Sequence, residues 1–128
     1  MSGRINKREQ TVLDAVTRRK DLTLWSPEGE AHDRVRSYGD GTVDYWLWRT
    51  RIATWRPETM TLMITLNGWT TDTTLHRADA FLEFFGAPFR VSRRKGEVSL
   101  VGVGADSGKE YELGRLYFFE NLTVSVEA

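Results

Sequence analysis

Apolar positions recur along the chain with two different periods. Between residues 6 and 19 they come at helix spacing. Val12, Leu13 and Val16 form one narrow stripe, Ile5 extends it backwards, and the remaining positions are polar. The spacing predicts an amphipathic N-terminal helix over about 6–19. "LTLW" (22–25) then reads as a short strand, closed by the turn "SPEGE". Residues 32–38 alternate only weakly, with Val35 set among charges, which predicts an exposed or edge strand. "YGDGT" (38–42) is a hairpin turn, because Asp-Gly tolerates the positive φ such turns need. "VDYWLWRTRIATW" (43–55), rich in aromatic and β-branched residues, reads as one long bent strand or two short ones. After the turn "RPET", the segment "MTLMITL" (60–66) alternates cleanly. Leu62, Ile64 and Leu66 face one way; Thr61, Met63 and Thr65 face the other.

The period then changes. Asn67-Gly68 ends the strand, and Thr71, Asp72, Thr73 and Thr74 all carry side chains that accept backbone N–H groups at a helix start. Asp72 also suits the positive end of the helix dipole. Leu75, Ala78, Leu82 and Phe85 follow at helical spacing, with Phe81 beside them, predicting a helix over about 74–85. Gly86 is placed to cap its C-terminus, and Pro88 prevents continuation. Mainly, the threonines fix where the helix begins. A ligand at that start stays open as an alternative, since exposed N–H groups there bind anions.

The remainder is β. "FRVSR" (89–93) and "VSLVGV" (98–103) form a hairpin around the tip "RKGE", and "YELGRLYFF" (111–119) and "LTVSVEA" (122–128) are two further strands. The sum is an α+β fold, a mainly antiparallel sheet with one central helix and one N-terminal helix. With 128 residues and no linker or repeat, residues 1–128 read as one domain.

Composition narrows the classes. There is no Cys, so neither a disulfide frame nor a cysteine zinc site can form. No apolar run approaches the ~18 residues of a membrane span, and "MSGRINKREQTVLDAVTRRKD" has no signal-peptide core. A cytoplasmic protein is expected. Net charge is zero but uneven. Residues 1–20 carry Arg4, Lys7, Arg8, Arg18, Arg19 and Lys20 against Glu9 and Asp14, and a second cluster holds Arg90, Arg93, Arg94 and Lys95. Such clusters meet phosphates, or simply solvate a helix end and a hairpin tip.

Familiar catalytic motifs are absent. In "GVGADSGKE" (102–110) a phosphate loop would need its first Gly where Val103 stands, and a dinucleotide fingerprint would need its third where Ser107 stands. The two histidines, His32 and His76, have neither i, i+4 spacing nor carboxylates at ligand spacing, so no metal or other cofactor is expected, and His76 reads as a surface or boundary residue. No Ser occupies a Gly-x-Ser-x-Gly elbow. A non-catalytic protein is expected.

The Trp-rich segment carries more. In "YWLWRTR" (45–51), unbroken strand alternation places Trp46, Trp48 and Thr50 on one face and Tyr45, Leu47, Arg49 and Arg51 on the other. An aromatic beside two guanidiniums can stack on bases and pair with phosphates. It can equally be a Tyr and a Leu packed under Arg stems, or a protein-binding hot spot.

The stretch from Leu66 to Arg77 resembles a widespread family of small phage-encoded proteins of unknown function. Their pattern is roughly Leu-Asn-x-Gly-Gly-Trp-x-Thr-x-Thr-Thr-x-x-Arg-x-Asn. It is matched here by Leu66, Asn67, Gly68, Trp69, Thr71, Thr73, Thr74 and Arg77. The second Gly is missing, and Asp79 stands where Asn is usual. The similarity spans 52–101, a strand-helix-hairpin core, and leaves the basic N-terminal helix (1–20) outside. The resemblance implies a phage or prophage context, hence the host cytoplasm. It also implies that Trp69, Thr71, Thr73, Thr74 and Arg77 form one structural unit, with Trp69 packed over the helix start. It implies no activity. Two functions are therefore expected in competition. One is nucleic-acid binding through Arg49, Arg51, Arg93, Arg94 and Lys95, helped by Arg18, Arg19 and Lys20. The other is binding of a host protein that is thereby inhibited or redirected.

Overall fold

The computed structural model of the chain describes residues 5–66, 71–87, 89–94, 97–103, 110–116 and 122–125, with side chains described for 5–66, 71–87, 90, 91 and 98. In chain order the elements are α1 (Lys7–Arg18), β1 (Leu22–Trp25), β2 (Ala31–Ser37), β3 (Val43–Leu47), β4 (Thr50–Arg56), β5 (Thr61–Ile64), α2 (Asp72–Phe84), β6 (Phe89–Arg94), β7 (Glu97–Val103), β8 (Glu110–Leu116) and β9 (Leu122–Ser125). The fold is α+β, as the periodicities imply.

Helix α1 starts on a capping box. The Asn6 side chain accepts the Glu9 N–H at 2.8 Å, and the Glu9 carboxylate accepts the Asn6 N–H at 3.0 Å. It ends on Arg19 in the left-handed region, at φ 54°. Its stripe of Val12, Leu13 and Val16 is fully buried. Helix α2 starts at Asp72, two residues before the spacing alone suggests, because Thr71 is the N-cap: its hydroxyl accepts the Thr74 N–H at 3.3 Å. Just past the helix, Gly86 adopts φ 71°, a conformation that favours glycine, and donates to the Glu83 carbonyl. Leu75, Ala78, Phe81 and Leu82 are buried as expected; Phe85, expected inside, is half-buried at the rim, where its ring meets Trp55 at 4.5 Å.

The strands form two antiparallel sheets, one of six strands in the order β1-β2-β3-β4-β5-β9 and one of three, β6-β7-β8. Helix α1 lies against β2 and β3, and α2 touches α1, β4 and β6, so α2 links the two sheets. Val35, Val43, Tyr45, Leu47, Trp55, Leu62 and Ile64 supply the sheet's part of the core. Among the described residues, no helix is long and apolar enough to cross a membrane.

One strand expectation changes, and an open choice is decided. β2 is not an edge strand; it pairs with β1 on one side and β3 on the other. Its alternation looks weak because one of its two fully buried residues is a charged one, Asp33, beside Val35. Of the two readings of residues 43–55, the structure takes the two short strands, joined by a tight turn at Trp48-Arg49 with Trp48 at φ 57°. That turn resets the alternation, so Arg51 does not share a face with Tyr45 and Leu47. Those two are buried, while Arg51 stands opposite Trp46.

Candidate functional site

Four polar residues from four elements meet inside the core at one end of the sheet. Glu9 comes from the first turn of α1, Asp33 from β2, Tyr45 from β3 and Arg77 from α2; none is more than 5% exposed. Arg77 reaches the interior because it sits on the apolar stripe of its helix, three residues after Thr74 and four before Phe81. Its guanidinium bridges the two acids. Nη1 donates to Glu9 Oε2 at 2.8 Å, and Nε donates to Asp33 Oδ2 at 3.0 Å and to the Tyr45 hydroxyl oxygen at 3.1 Å. The Tyr45 O–H donates to the same Asp33 oxygen. From the surface side, Arg8 Nε donates to Asp33 Oδ1 at 3.2 Å while its Nη2 donates to the Trp25 carbonyl at 2.8 Å.

The electrostatics follow from this pairing. Burial by itself pushes the Asp33 carboxyl up, but the hydrogen bonds from Arg77, Tyr45 and His32, with the Arg77 charge, outweigh it and hold its pKa below the ordinary value. Tyr45 is pushed well above the ordinary phenol value, first by burial and then by the Asp33 charge. Burial works against the Arg77 cation, yet its bonds to Asp33 and Glu9 carry its pKa upward. Asp33 is thus an anion and Arg77 a cation at neutral pH, and Tyr45 keeps its proton.

Each buried carboxylate also holds a histidine. His76 Nδ1 lies 2.6 Å from Glu9 Oε2, and His32 Nδ1 is hydrogen-bonded to Asp33 Oδ1. The two imidazoles are partly exposed, His32 by 19% and His76 by 32% of the side chain. Both line a groove of about 810 Å³ whose walls include Arg8, Trp25, Asp72 and Arg77. The Trp25 side of this groove is a solvent-facing ring, 60% exposed. His76 had read as a surface or boundary residue; the structure ties it to a carboxylate 67 positions away in sequence.

A second groove, of about 780 Å³, lies where β3 turns into β4, lined by Arg34, Trp46, Trp48, Arg49, Thr71 and Thr74 among others. Arg34 stacks over the Trp46 ring at 5.9 Å to its centroid, within cation–π range. Trp46 in turn is paired across β4 with Arg51, which also approaches Asp44 at 3.8 Å. The His32 and Trp48 rings touch edge to face, centroids 4.4 Å apart, so the two grooves share a wall.

The residues singled out in the sequence fall in different places. Arg49 lines the second groove and Arg51 lies beside it, opposite Trp46. Arg18, Arg19 and Lys20 are exposed at the C-terminal end of α1, near the turns holding Gly41 and Pro57. That is the opposite end of the sheet from Trp48, whose N–H bonds the His32 carbonyl. The two basic groups therefore do not form one local cluster. The Arg93 and Arg94 side chains and all of Lys95 lie outside the described residues, as does Trp69. Thr71 and Thr74 form the cap and their hydroxyls lie 2.9 Å apart; Thr73 is exposed. Asp79 is buried and accepts the Val91 N–H of β6 at 2.8 Å; its Oδ2 has no hydrogen-bond partner among the described residues, and burial pushes its pKa up.

The sequence marks Tyr45 only as a strand aromatic near arginines and Glu9 only as one charge among the first twenty residues, and gives Asp33 and Arg34 no role. Two signals were present: the Asn6-x-x-Glu9 box, and the charged residue breaking the inward alternation of β2. Among the described residues, no group of three or more His, Asp or Glu side chains could hold a metal ion. Comparison of the chain with protein-family models, with curated proteins and with solved structures yields no match.

Proposed function

We propose that the chain is a phage or prophage accessory protein that binds single-stranded nucleic acid at the end of the sheet where β3 turns into β4, within the host cytoplasm. The observation carrying this reading is the second groove: Trp46 and Trp48 line it together with Arg34 and Arg49, and Trp48 is 43% exposed. Bases stack on exposed indole faces with a contribution of ~1–3 kcal/mol each and little sequence preference, while nearby guanidiniums neutralise phosphates. Single strands are favoured because a paired base keeps its faces inside the duplex. With zero net charge the protein has no general attraction to polyanions, so binding depends on this local set.

The test is a fluorescence-anisotropy titration with single- and double-stranded oligonucleotides at about 50 and 200 mM salt. Binding of single strands that weakens at the higher salt, is lost in Trp48→Ala and Arg34→Glu, and survives Arg18→Ala/Arg19→Ala supports the reading. No binding of either form at low salt overturns it. The second reading, docking of a host protein, draws on Trp25 and Trp48, two exposed large apolar rings of the type that anchors protein interfaces. It moves ahead on that outcome.

A further inference from the structure

We infer that the groove lined by His32 and His76 is an acid–base site that cleaves RNA without a metal ion. The inference rests on nucleic-acid binding at the adjoining groove, and it assigns a reaction to a cluster that binding alone leaves unexplained.

The two histidines are built alike. Each presents Nδ1 to a buried carboxylate, His32 to Asp33 and His76 to Glu9. A carboxylate that pairs with guanidinium is an acceptor only, so each Nδ1 carries the hydrogen and each neutral ring has its lone pair on Nε2. Both residues line the same groove, and with Nδ1 bound to the carboxylate Nε2 is the nitrogen left for a substrate there. A carboxylate at Nδ1 fixes the tautomer and orientation of a histidine and supports the imidazolium that forms when it takes a proton. Arg77 binds both carboxylates and so holds the two dyads in one rigid frame, anchored on α1, β2 and α2. Buried structural networks need acids and a base; they do not need an imidazole on the open side of each acid. Two such rings in one groove match a reaction that takes a proton at one place and gives one at another.

RNA strand transfer is that reaction. A neutral imidazole accepts the 2′-hydroxyl proton on Nε2 as the 2′ oxygen attacks phosphorus. The bond from phosphorus to the 5′ oxygen breaks, and the second, protonated imidazole gives its proton to that oxygen. The products are a 2′,3′-cyclic phosphate and a free 5′-hydroxyl, and the two rings have exchanged protonation states, which solvent resets. No oxidant or metal enters. Arg8 also lines the groove, held through Nε by Asp33 and through Nη2 by the Trp25 carbonyl, and adds positive charge beside the phosphate. The exposed Trp25 ring at the rim is a stacking surface for a neighbouring base. DNA lacks the nucleophile and is bound but not cut.

One ring must be neutral and the other charged, so the rate has a bell-shaped pH dependence. The charged groups facing the rings are Arg8 and Glu9 from α1, Asp33 from β2, and Asp72 and Arg77 from α2. The experiment incubates the full chain in EDTA with a labelled single-stranded ribo-oligonucleotide over a pH series. Binding is measured in parallel by anisotropy on the uncleavable 2′-deoxy oligonucleotide of the same sequence. The variants are His32→Asn and His76→Asn, in which the amide N–H replaces Nδ1–H at the carboxylate and Nε2 is lost. Expected are fragments ending in 2′,3′-cyclic phosphate, a bell-shaped profile, and a loss of about 100-fold or more in each variant, with deoxy-oligonucleotide binding retained in His76→Asn, whose side chain lines the histidine groove and not the Trp48 groove. Intact RNA at every pH, alongside normal binding, overturns the cleavage and leaves binding standing. Equal cleavage by wild type and both variants, products with a free 3′-hydroxyl, or cleavage of the deoxy strand also overturns it. Absence of both binding and cleavage overturns the two readings together.

Discussion

Replacing Arg77 by Met tests whether the buried network is the keystone of the fold. Met has nearly the length of the Arg stem, so packing is kept and the charge is lost. The guanidinium side chain is 6% exposed, and it binds two carboxylates whose side chains are 1% and 0% exposed. Removing one partner of a buried ion pair costs ~3–5 kcal/mol, because the remaining charge is left without compensation. Two acids lose their cation here, but neither is stripped of partners. Glu9 keeps the Asn6 N–H and His76; Asp33 keeps Arg8, Tyr45 and His32. The single-pair figure of ~3–5 kcal/mol is therefore the expected loss rather than twice that. Against a total stability of roughly 5–15 kcal/mol for a domain, this is a large fraction. Urea denaturation followed by tryptophan fluorescence reads it as a fall in midpoint with an unchanged slope. Arg77→Lys keeps the charge, but one ammonium cannot span bonds that leave from both Nε and Nη1, so a loss of ~1.5–3 kcal/mol is expected. Adding Glu9→Gln and Asp33→Asn to Arg77→Met removes the carboxylate charges that the guanidinium balanced and recovers most of the loss. An Arg77→Met protein within ~1 kcal/mol of wild type refutes the reasoning.

Two further expectations concern other parts of the molecule. Asp33 and Asp79 affect acid stability with opposite sign. The folded pKa of Asp33 lies below 3.8, so its stabilisation is complete above that value and is lost as pH falls through the folded pKa; Asp33→Asn flattens the acid limb of the urea midpoint against pH. The folded pKa of Asp79 lies above 3.8, so the folded state favours its protonated form and loses stability as pH rises through that pKa; Asp79→Asn, which keeps an acceptor for the Val91 N–H, is expected to exceed wild type in stability at neutral pH and to match it below 3.8. Thr71→Ala removes the α2 cap and lowers stability by ~1 kcal/mol in thermal or urea unfolding, whereas Thr73→Ala, at an exposed side chain, changes it little. Equal effects at the two threonines would contradict the assignment of the cap.

How much the sequence determined depends on how locally each feature is encoded. Helix α2 was legible because its signals are neighbours: Thr71 before it, Leu75, Ala78 and Leu82 at helical spacing, Gly86 after it. The hairpin at 38–42 was legible for the same reason, the positive φ of Gly41 being a property of the turn itself. The clean alternation of Leu62 and Ile64 fixed the core face of β5. Over 43–55 the sequence left one bent strand or two short ones open, and the place of the turn at Trp48-Arg49 was not legible, since neither residue is a usual turn former. Its φ of 57° is imposed by pairing β3 to β4, and missing it reversed the facing of Arg51. Nor could the sequence order the strands: β9 closes the large sheet against β5 across some sixty residues of chain, and only tertiary packing decides that pairing. The network around Arg77 is the extreme case. Its bonds join positions 9, 33, 45 and 77, and each residue alone looks like an ordinary surface charge or strand aromatic. A charge is tolerated inside only when its partners arrive from other elements, and that condition is a property of the folded chain. The sequence shows Asp33 as a break in a pattern and Arg77 as a polar residue on an apolar stripe; the fold makes each the reason for the other.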